Sequence, residues 1–499
     1  MLFVDPEFLL KFLPTALAGF WLLDGLKGGR WSSWWLLLVS MVFYAFSGLD
    51  TLLLFIGSLV TNYFMGKWLA GSPRRMPLML CVGLNLGLLV LYKYADFILQ
   101  SVAAISGRPI PLLNLELPLA ISFYTFQQIV YLVQCWRTRR SEMSWQDYAL
   151  AVSFFPHLIA GPLVHYRELV PQFHSQTRRR VAAANLHAAI SIFVIALGKK
   201  LLIADTLAPL SAEVFDHAGD GGAVGFLEAW RGTLAYSFQI YFDFSAYSEM
   251  ALALALLFGI RLPVNFKRPY AAVDLRDFWR RWHITLSEFL RDYVYIPLGG
   301  SRSGAVRRWI NLFLTMLLGG IWHGAGWNFL AWGALHGLFL AINHAWAGLS
   351  PVRLPKWPAR LLTFLVVVFL WVPFRAEDWS STRTVWAGMI GAAASSESPL
   401  PSSQASPAPV SEVLSDIAQA RAGKADAVVW QALGDAGVRA WLWVLLAAVI
   451  VFGFRTNLGL AAEGKSSTAW RAITLGVLLF FIIAKSFNSP PGEFIYFRF

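Results

Sequence analysis

Apolar runs close to the length needed to cross a bilayer recur along this chain from Phe8 to residue 486. A spanning α-helix needs about 20 such residues, and in hydrocarbon its backbone must satisfy its own hydrogen bonds. The expected fold class is therefore all-α and polytopic, with about 11–13 transmembrane helices in a single membrane-embedded domain over residues 1–499. Composition agrees. The chain is 57% hydrophobic and 14% charged, whereas soluble domains carry roughly 25% charged residues. Phe8–Leu23 is preceded by Asp5 and Glu7 and followed by no small-residue cleavage site, so it is expected to be a retained first span.

The net charge of +12 would suggest nucleic acid in a soluble protein. Here the basic residues sit in short links between apolar runs, so no nucleic-acid partner is expected and the positive-inside rule accounts for them. Lys27 and Arg30, then Lys67, Arg74 and Arg75, then Arg137, Arg139 and Arg140 mark alternate links. They place the N-terminus outside a bacterial inner membrane. The alternation breaks at Arg178, Arg179 and Arg180, which follow an apolar stretch containing Pro156, Gly161 and Pro162. Residues 153–167 are therefore expected to dip into the membrane and return. Irregular backbone at that depth must be buried in protein or line a wet cavity. Later parity puts residues 262–308, with nine basic and four acidic residues, in the cytoplasm. The link 378–438 and the C-terminus fall outside, and SSESPLPSSQASPAPV (395–410) reads as a mobile low-complexity stretch. Cys81 and Cys135 lie inside apolar runs and read as packed core cysteines, with no metal set around them.

Residues 274–300, DLRDFWRRWHITLSEFLRDYVYIPLGG, have the period of one amphipathic helix. Phe278, Trp282, Leu286, Phe289 and Tyr293 would share one face, and Arg276, Arg280 and Arg291 another, with His283 on the border. Two readings stand side by side: an interfacial helix whose arginines meet lipid phosphates, or a cytosolic vestibule that receives a phosphorylated donor and turns His283 toward a reaction chamber.

GGIWHGAGWNF (319–329) sets His323 among Gly320, Gly324 and Gly326, with Trp322 and Trp327 as apolar walls. An ionisable residue within a span is costly and is a functional candidate by default. The glycines would let a backbone or a substrate come near. His336 lies ~20 Å further along one straight helix and on another face, so it shares a site with His323 only if the glycines bend the chain; otherwise it reads, like His344, as a packing residue. His174, His187 and His217 lie in or beside polar links; His157 and His165 belong to the re-entrant stretch. Asp243 and Glu249, in YFDFSAYSEM (241–250), either bind a cation or orient a histidine, or form a structural network with Ser245, Tyr247 and Ser248.

FWRRWHITLSEFLRDYVYIPLGG followed about forty residues later by WHG resembles the membrane-bound O-acyltransferase family, in its polysaccharide O-acetylation branch. ISFYTFQQIVYLVQCWR, FFPHLIAGPLVHYRE, LPVNFKRPY and FIYFRF belong to the same resemblance, with Ala246 where a glycine is common. It implies a tunnel through a thinned membrane region, with His323 catalytic and His283 its cytosolic-side companion. It further implies acetyl-CoA or another acyl thioester as donor, no bound cofactor, and an external periplasmic partner that carries the acetyl group to an alginate- or cellulose-like polymer. Expected substrate contacts are Arg276, Arg280, Arg291, Trp279, Trp282, Trp322 and Asn328, with Asp243, Tyr241 and Gly324 in support. Two other functions compete: D-alanyl transfer toward teichoic acid, and a transporter or flippase with Asp243, Glu249 and His323 as an ion path, which the absence of an inverted repeat disfavours.

Overall fold

The computed structural model describes residues 1–24, 30–141, 143–175, 178–302, 304–350, 354–392, 436–453, 476–482, 485, 492 and 494–495. Every regular element among these residues is helical. Five helical stretches are long and apolar enough to cross a membrane: Leu49–Ala70, Arg75–Ser106, Arg180–Gly219, Phe226–Leu257 and Lys356–Arg375. Shorter apolar helices cover Phe8–Leu23, Trp31–Ala45 and Gly437–Gly453. The expected span at 469–486 lies mostly outside the described residues, as does the low-complexity stretch 395–410.

Phe226–Leu257 is the central helix. In its most apolar 18 residues 94% are buried, against 22% for Arg75–Ser106, which turns toward lipid. A helix apolar on all sides needs protein on all sides. Arg178–Gly198, Asp205–Gly219, Lys356–Arg375 and Trp379–Met389 supply it. The acids inside this helix are neutralised by consecutive lysines of the π-helical turn Lys199–Ala204. Lys199 Nζ pairs with Glu249 at 2.7 Å, and Lys200 Nζ with Asp243 at 2.9 Å and Asp205 at 2.8 Å. Asp243 also accepts the Ile495 N–H at 2.7 Å, which ties the C-terminal residues into the core. The partners found for Asp243 and Glu249 are these lysines, rather than the expected network with Ser245, Tyr247 and Ser248.

The stretch 153–167 breaks into short pieces. Trp145–Ser153, Phe155–Leu158 and Tyr166–Phe173 are helical, and 159–165 is not. The longest piece, nine residues, reaches ~14 Å, less than half the ~30 Å hydrocarbon core. Its break is buried, as an irregular segment at membrane depth requires. Arg178 departs from its expected role as a topology-setting loop charge. It is buried, donates to Asp24 Oδ1 at 2.8 Å and Ser32 Oγ at 2.7 Å, and its carbonyl lies against Gly259. The link after residue 378 opens with a helix, Trp379–Met389, whose N-cap Asp378 accepts the Ser381 N–H at 2.7 Å.

Residues 274–300 are not one helix. Leu275–Trp279 and Ile284–Leu290 are separated by a left-handed residue, His283 with φ 43°, and Arg291–Tyr295 forms a π-helical turn. The break splits both predicted stripes. Phe278 and Trp282 pack with Tyr270, and Trp282 also meets Trp371, whereas Phe289 stacks on Phe126 at 4.2 Å. Arg276 and Arg280 are divided from Arg291. The segment leaves the interface plane because its apolar side chains have separate protein cores to enter.

Gly304–His323 and Trp327–Leu349 form a tight hairpin. Gly320 and Gly333 meet backbone to backbone, and Gly337 lies on Phe313. A Cβ on Gly333 would stand 2.5 Å from Met316 O and 2.9 Å from Gly320 Cα. Gly333→Ala is expected to push the helices apart and lower stability by about 1–3 kcal/mol. Gly348→Ala in the same helix, where nothing lies within 4 Å, should leave the melting temperature unchanged or slightly raised. Thermal unfolding in detergent compares the two.

Candidate active site

Both predicted catalytic histidines stand at helix ends. His323 is the last residue of Gly304–His323, and its buried ring is enclosed by Trp322, Trp332 and Phe374 at centroid distances of 4.8, 5.0 and 5.2 Å. Trp327 is not a wall of this pocket; it is largely exposed and meets Phe97. Its place is taken by Trp332, one turn further on, because the hairpin turns Trp327 outward. Gly324 and Gly320 are shaped for the hairpin too: a Cβ on either would strike Phe329. Gly326 is extended and caps the second helix.

The same fold-back brings in a residue read from the sequence as packing. His336 is buried against Trp332 at 4.7 Å and Trp279 at 5.2 Å. Neither ring nitrogen of His336 has a hydrogen-bond partner among the described residues. The straight-helix separation fails because helix 304–323 ends before His336 begins its own turn of a second helix.

His283 lies against Trp322 from another direction, at 6.3 Å, so one indole touches both predicted catalytic histidines. Its backbone turn is held by Asn265, a residue missed in the sequence. Asn265 O accepts the Ile284 N–H at 2.9 Å, and Asn265 Oδ1 accepts both the Thr285 N–H at 3.2 Å and the Thr285 hydroxyl at 3.1 Å. A backbone N–H can only donate, which identifies the Asn265 atom as oxygen. His283 Nδ1, 3.2 Å from that oxygen, is then the protonated nitrogen, and the neutral ring carries its lone pair on Nε2. The re-entrant segment braces this turn from below: Leu163 N–H donates to Thr285 Oγ1 at 3.0 Å.

A cavity of about 100 Å³ opens onto His323 and Trp322. Residues 117–123 form most of its wall, with Ile159 from the re-entrant segment and Lys93 completing it. Lys93 and Tyr94 come from the π-helical turn Val90–Tyr94 and cap the end of the His323 helix. Tyr94 Oη donates to Ile321 O at 2.7 Å, and Lys93 Nζ to Trp322 O at 2.7 Å and His323 O at 3.1 Å. The sequence did hold a signal for Lys93, a single lysine inside the apolar run 76–105.

The remaining predicted residues divide. Trp282 and Tyr241 are buried beside the His283 turn, Tyr241 at 6.4 Å from Trp282. Trp279 packs on Trp332 and His336. Asn328 donates to Ala376 O at 2.8 Å and so pins the second hairpin helix to the end of Lys356–Arg375. Arg276 pairs with Asp274 at 2.8 Å and Arg291 with Asp292 at 2.7 Å, while Arg280 is exposed.

Residues 119–373 match the family described as MBOAT, membrane-bound O-acyltransferase family. The chain is also 41% identical over 424 residues to the peptidoglycan O-acetyltransferase of Helicobacter pylori, an overlap of 78% of this chain and 80% of that one. The chain belongs to the membrane-bound O-acyltransferase family. This acyltransferase is also 42% identical over 404 residues to a Pseudomonas putida protein named probable alginate O-acetylase, covering 78% of this chain and 80% of that one. A teichoic acid D-alanyltransferase of Streptococcus thermophilus is 27% identical over 272 residues, 50% of this chain and 65% of that one. The expected family and its polytopic helical fold are thereby shown, and the polymers its relatives act on extend to peptidoglycan. His283, His323, His336, Trp322, Trp332 and Asn265 all fall within the matched residues; Lys93 lies before them.

Removing the Asn265 carbonyl orphans the Thr285 N–H and releases His283. Asn265→Ala is expected to lower stability by about 1–3 kcal/mol and to reduce acyl transfer more than tenfold. Asn265→Asp keeps the acceptor and should recover part of both, read by detergent melting and by initial rates.

Proposed function

We propose that this acyltransferase carries an acetyl group from a cytosolic thioester across the bacterial inner membrane, toward O-acetylation of an extracytoplasmic polysaccharide. The observation that carries this reading is His323, a buried imidazole at a helix end whose carbonyls are capped and whose neighbour Trp322 lines a cavity beside it. In the proposed reaction neutral His323 takes the proton of an acceptor hydroxyl, whose oxygen attacks the thioester carbonyl. The tetrahedral intermediate expels thiolate, which recovers the proton from the imidazolium. A positioned base of this kind supplies roughly 10²–10⁴-fold. His283, with its Nε2 lone pair set by Asn265, orients the donor from the other side of Trp322.

Charge alternation supports the assignment of sides. The wall at 117–123 follows the basic-poor link 107–117, so the cavity is the acceptor's entrance, and 262–308 is the donor's. Acetyl-CoA suits a face bearing Arg276, Arg280 and Arg291, whose phosphates Arg280 can meet without first losing a carboxylate partner. A cavity of about 100 Å³ does not hold a polymer, so the acceptor is a hydroxyl on a periplasmic partner protein that hands acetyl to the polysaccharide. The relatives' names favour a cell-envelope glycan such as alginate or peptidoglycan. D-alanyl transfer is the second reading, favoured by the D-alanyltransferase relative. An ion-coupled transporter loses its ground, because Asp243 and Glu249 are already paired with Lys200 and Lys199.

Membranes carrying the full chain, given labelled acetyl-CoA, should transfer label to envelope material. His323→Ala should reduce that transfer at least ~100-fold while the protein stays inserted and folded. Undiminished transfer by His323→Ala refutes the catalytic assignment, and D-alanine esters without acetate in the envelope polymer would favour the second reading.

A further inference from the structure

Among the described residues Lys93 is the one lysine or arginine of the cavity wall, and its charge exceeds what its visible structural task requires. Two of its ammonium protons go to Trp322 O and His323 O, and Ser122 Oγ lies 3.5 Å away. The neighbouring carbonyl, Ile321 O, receives the same kind of cap from the neutral hydroxyl of Tyr94. A hydroxyl therefore suffices to cap this helix end. An ammonium drawn even half out of water, as Lys93 is, is more expensive to hold than a hydroxyl unless something anionic compensates it. Two other lysines drawn into the core obey that rule: half-buried Lys199 pairs with Glu249, and buried Lys200 with Asp243 and Asp205. Among the described residues no carboxylate lies within ion-pair distance of Lys93; its partners are carbonyls and a hydroxyl. What faces it is the cavity shared with His323, whose ~100 Å³ exceeds the ~30 Å³ share of a water molecule several-fold.

We propose that Lys93 is a catalytic residue that stabilises the oxyanion of the acyl-transfer intermediate, with the acyl carbonyl seated in the cavity between Lys93 and His323. The proposal rests on the acyl-transfer reading of His323. When the acceptor oxygen bonds to the carbonyl carbon, the carbonyl π pair moves onto oxygen, and the negative charge arises beside an ammonium already fixed by two carbonyls. No proton leaves Lys93. On collapse the charge passes to the departing thiolate, which takes its proton from the imidazolium of His323. The missing anion of the resting site is the intermediate itself. A pre-oriented cation contributes most where charge appears only in the transition state.

The test compares maximal rate and half-saturating acetyl-CoA concentration in membranes bearing the full chain, with thermal unfolding of each purified variant. Lys93→Met is expected to lower the maximal rate at least ~100-fold, with the half-saturating concentration within about threefold of the parent. Lys93→Arg, which keeps the charge, should exceed Lys93→Met by at least about tenfold. Tyr94→Phe removes a cap of the same helix end; it should lower the melting temperature and change the maximal rate less than tenfold. A Lys93→Met rate within threefold of the parent overturns the proposal. So does a rate loss shared equally by Lys93→Met and Tyr94→Phe, or one matched by a proportional rise in half-saturation. If Lys93→Met does not fold, Lys93→Arg and Lys93→Gln carry the comparison, and equal rates for these two overturn it. His323→Ala is assayed alongside. Its retention of activity refutes acyl transfer at His323, whereas its loss together with full activity of Lys93→Met refutes the role of Lys93 alone.

Discussion

The site depends on the backbone contact between Gly320 and Gly333. Two helices can approach this closely only where neither carries a Cβ, and the short turn 324–326 then follows from the approach. That contact decides three things together. It ends the first helix at His323, leaving its terminal carbonyls in need of donors. It lays Trp332 across the imidazole, and it brings His336 within one indole of His323. The residues Lys93 and Tyr94 are the answer to the first of these, reaching from a distant part of the chain to the carbonyls the hairpin leaves open. Small residues at a helix interface commonly serve close packing in membranes; here the same packing sets the surroundings of His323.

The second histidine is positioned by the opposite device. His323 ends a continuous helix, whereas His283 interrupts one, in a left-handed conformation that a side chain other than glycine adopts only at some cost. Asn265 holds it there by accepting two donors of Thr285 on a single oxygen while its carbonyl takes the Ile284 N–H. The re-entrant segment adds the Leu163 bond to the same threonine. A broken helix, a re-entrant turn and an asparagine thus form one unit around His283. Together they meet the demand that irregular backbone within a membrane find its partners inside the protein.

What was legible in the sequence follows from this. Helical spans, the break near 153–167 and the choice of His323 as a candidate rest on local signals: run length, proline and glycine positions, and an ionisable residue in an apolar run. The family motifs carried the chemistry. The failures are tertiary. Periodicity at 274–300 is real, but it cannot tell a helix with one apolar face from two short helices whose apolar residues enter different cores. The spacing of His323 and His336 assumes a straight axis, and only the fold-back removes it. Glycines beside His323 were read as room for a backbone or a substrate; the neighbour Gly320 admits is the backbone of the other helix. Lys93 was visible as the single lysine of an apolar run, yet nothing local points to a helix end more than two hundred residues away.

Charge pairing separates the lysines of the core from Lys93. Lys199 and Lys200 sit on a π-helical turn against the central helix and are matched by carboxylates, so their charges cancel within the resting fold. Lys93 also sits on a π-helical turn, but it meets only dipoles. Helix-terminal carbonyls offer a cation a fraction of a unit charge, enough to hold an ammonium in place and too little to neutralise it. A cation held but not neutralised, next to a base in a small cavity, is an arrangement whose electrostatic deficit is filled when negative charge develops there. Stability alone would select a neutral donor at that position, as Tyr94 shows one residue away.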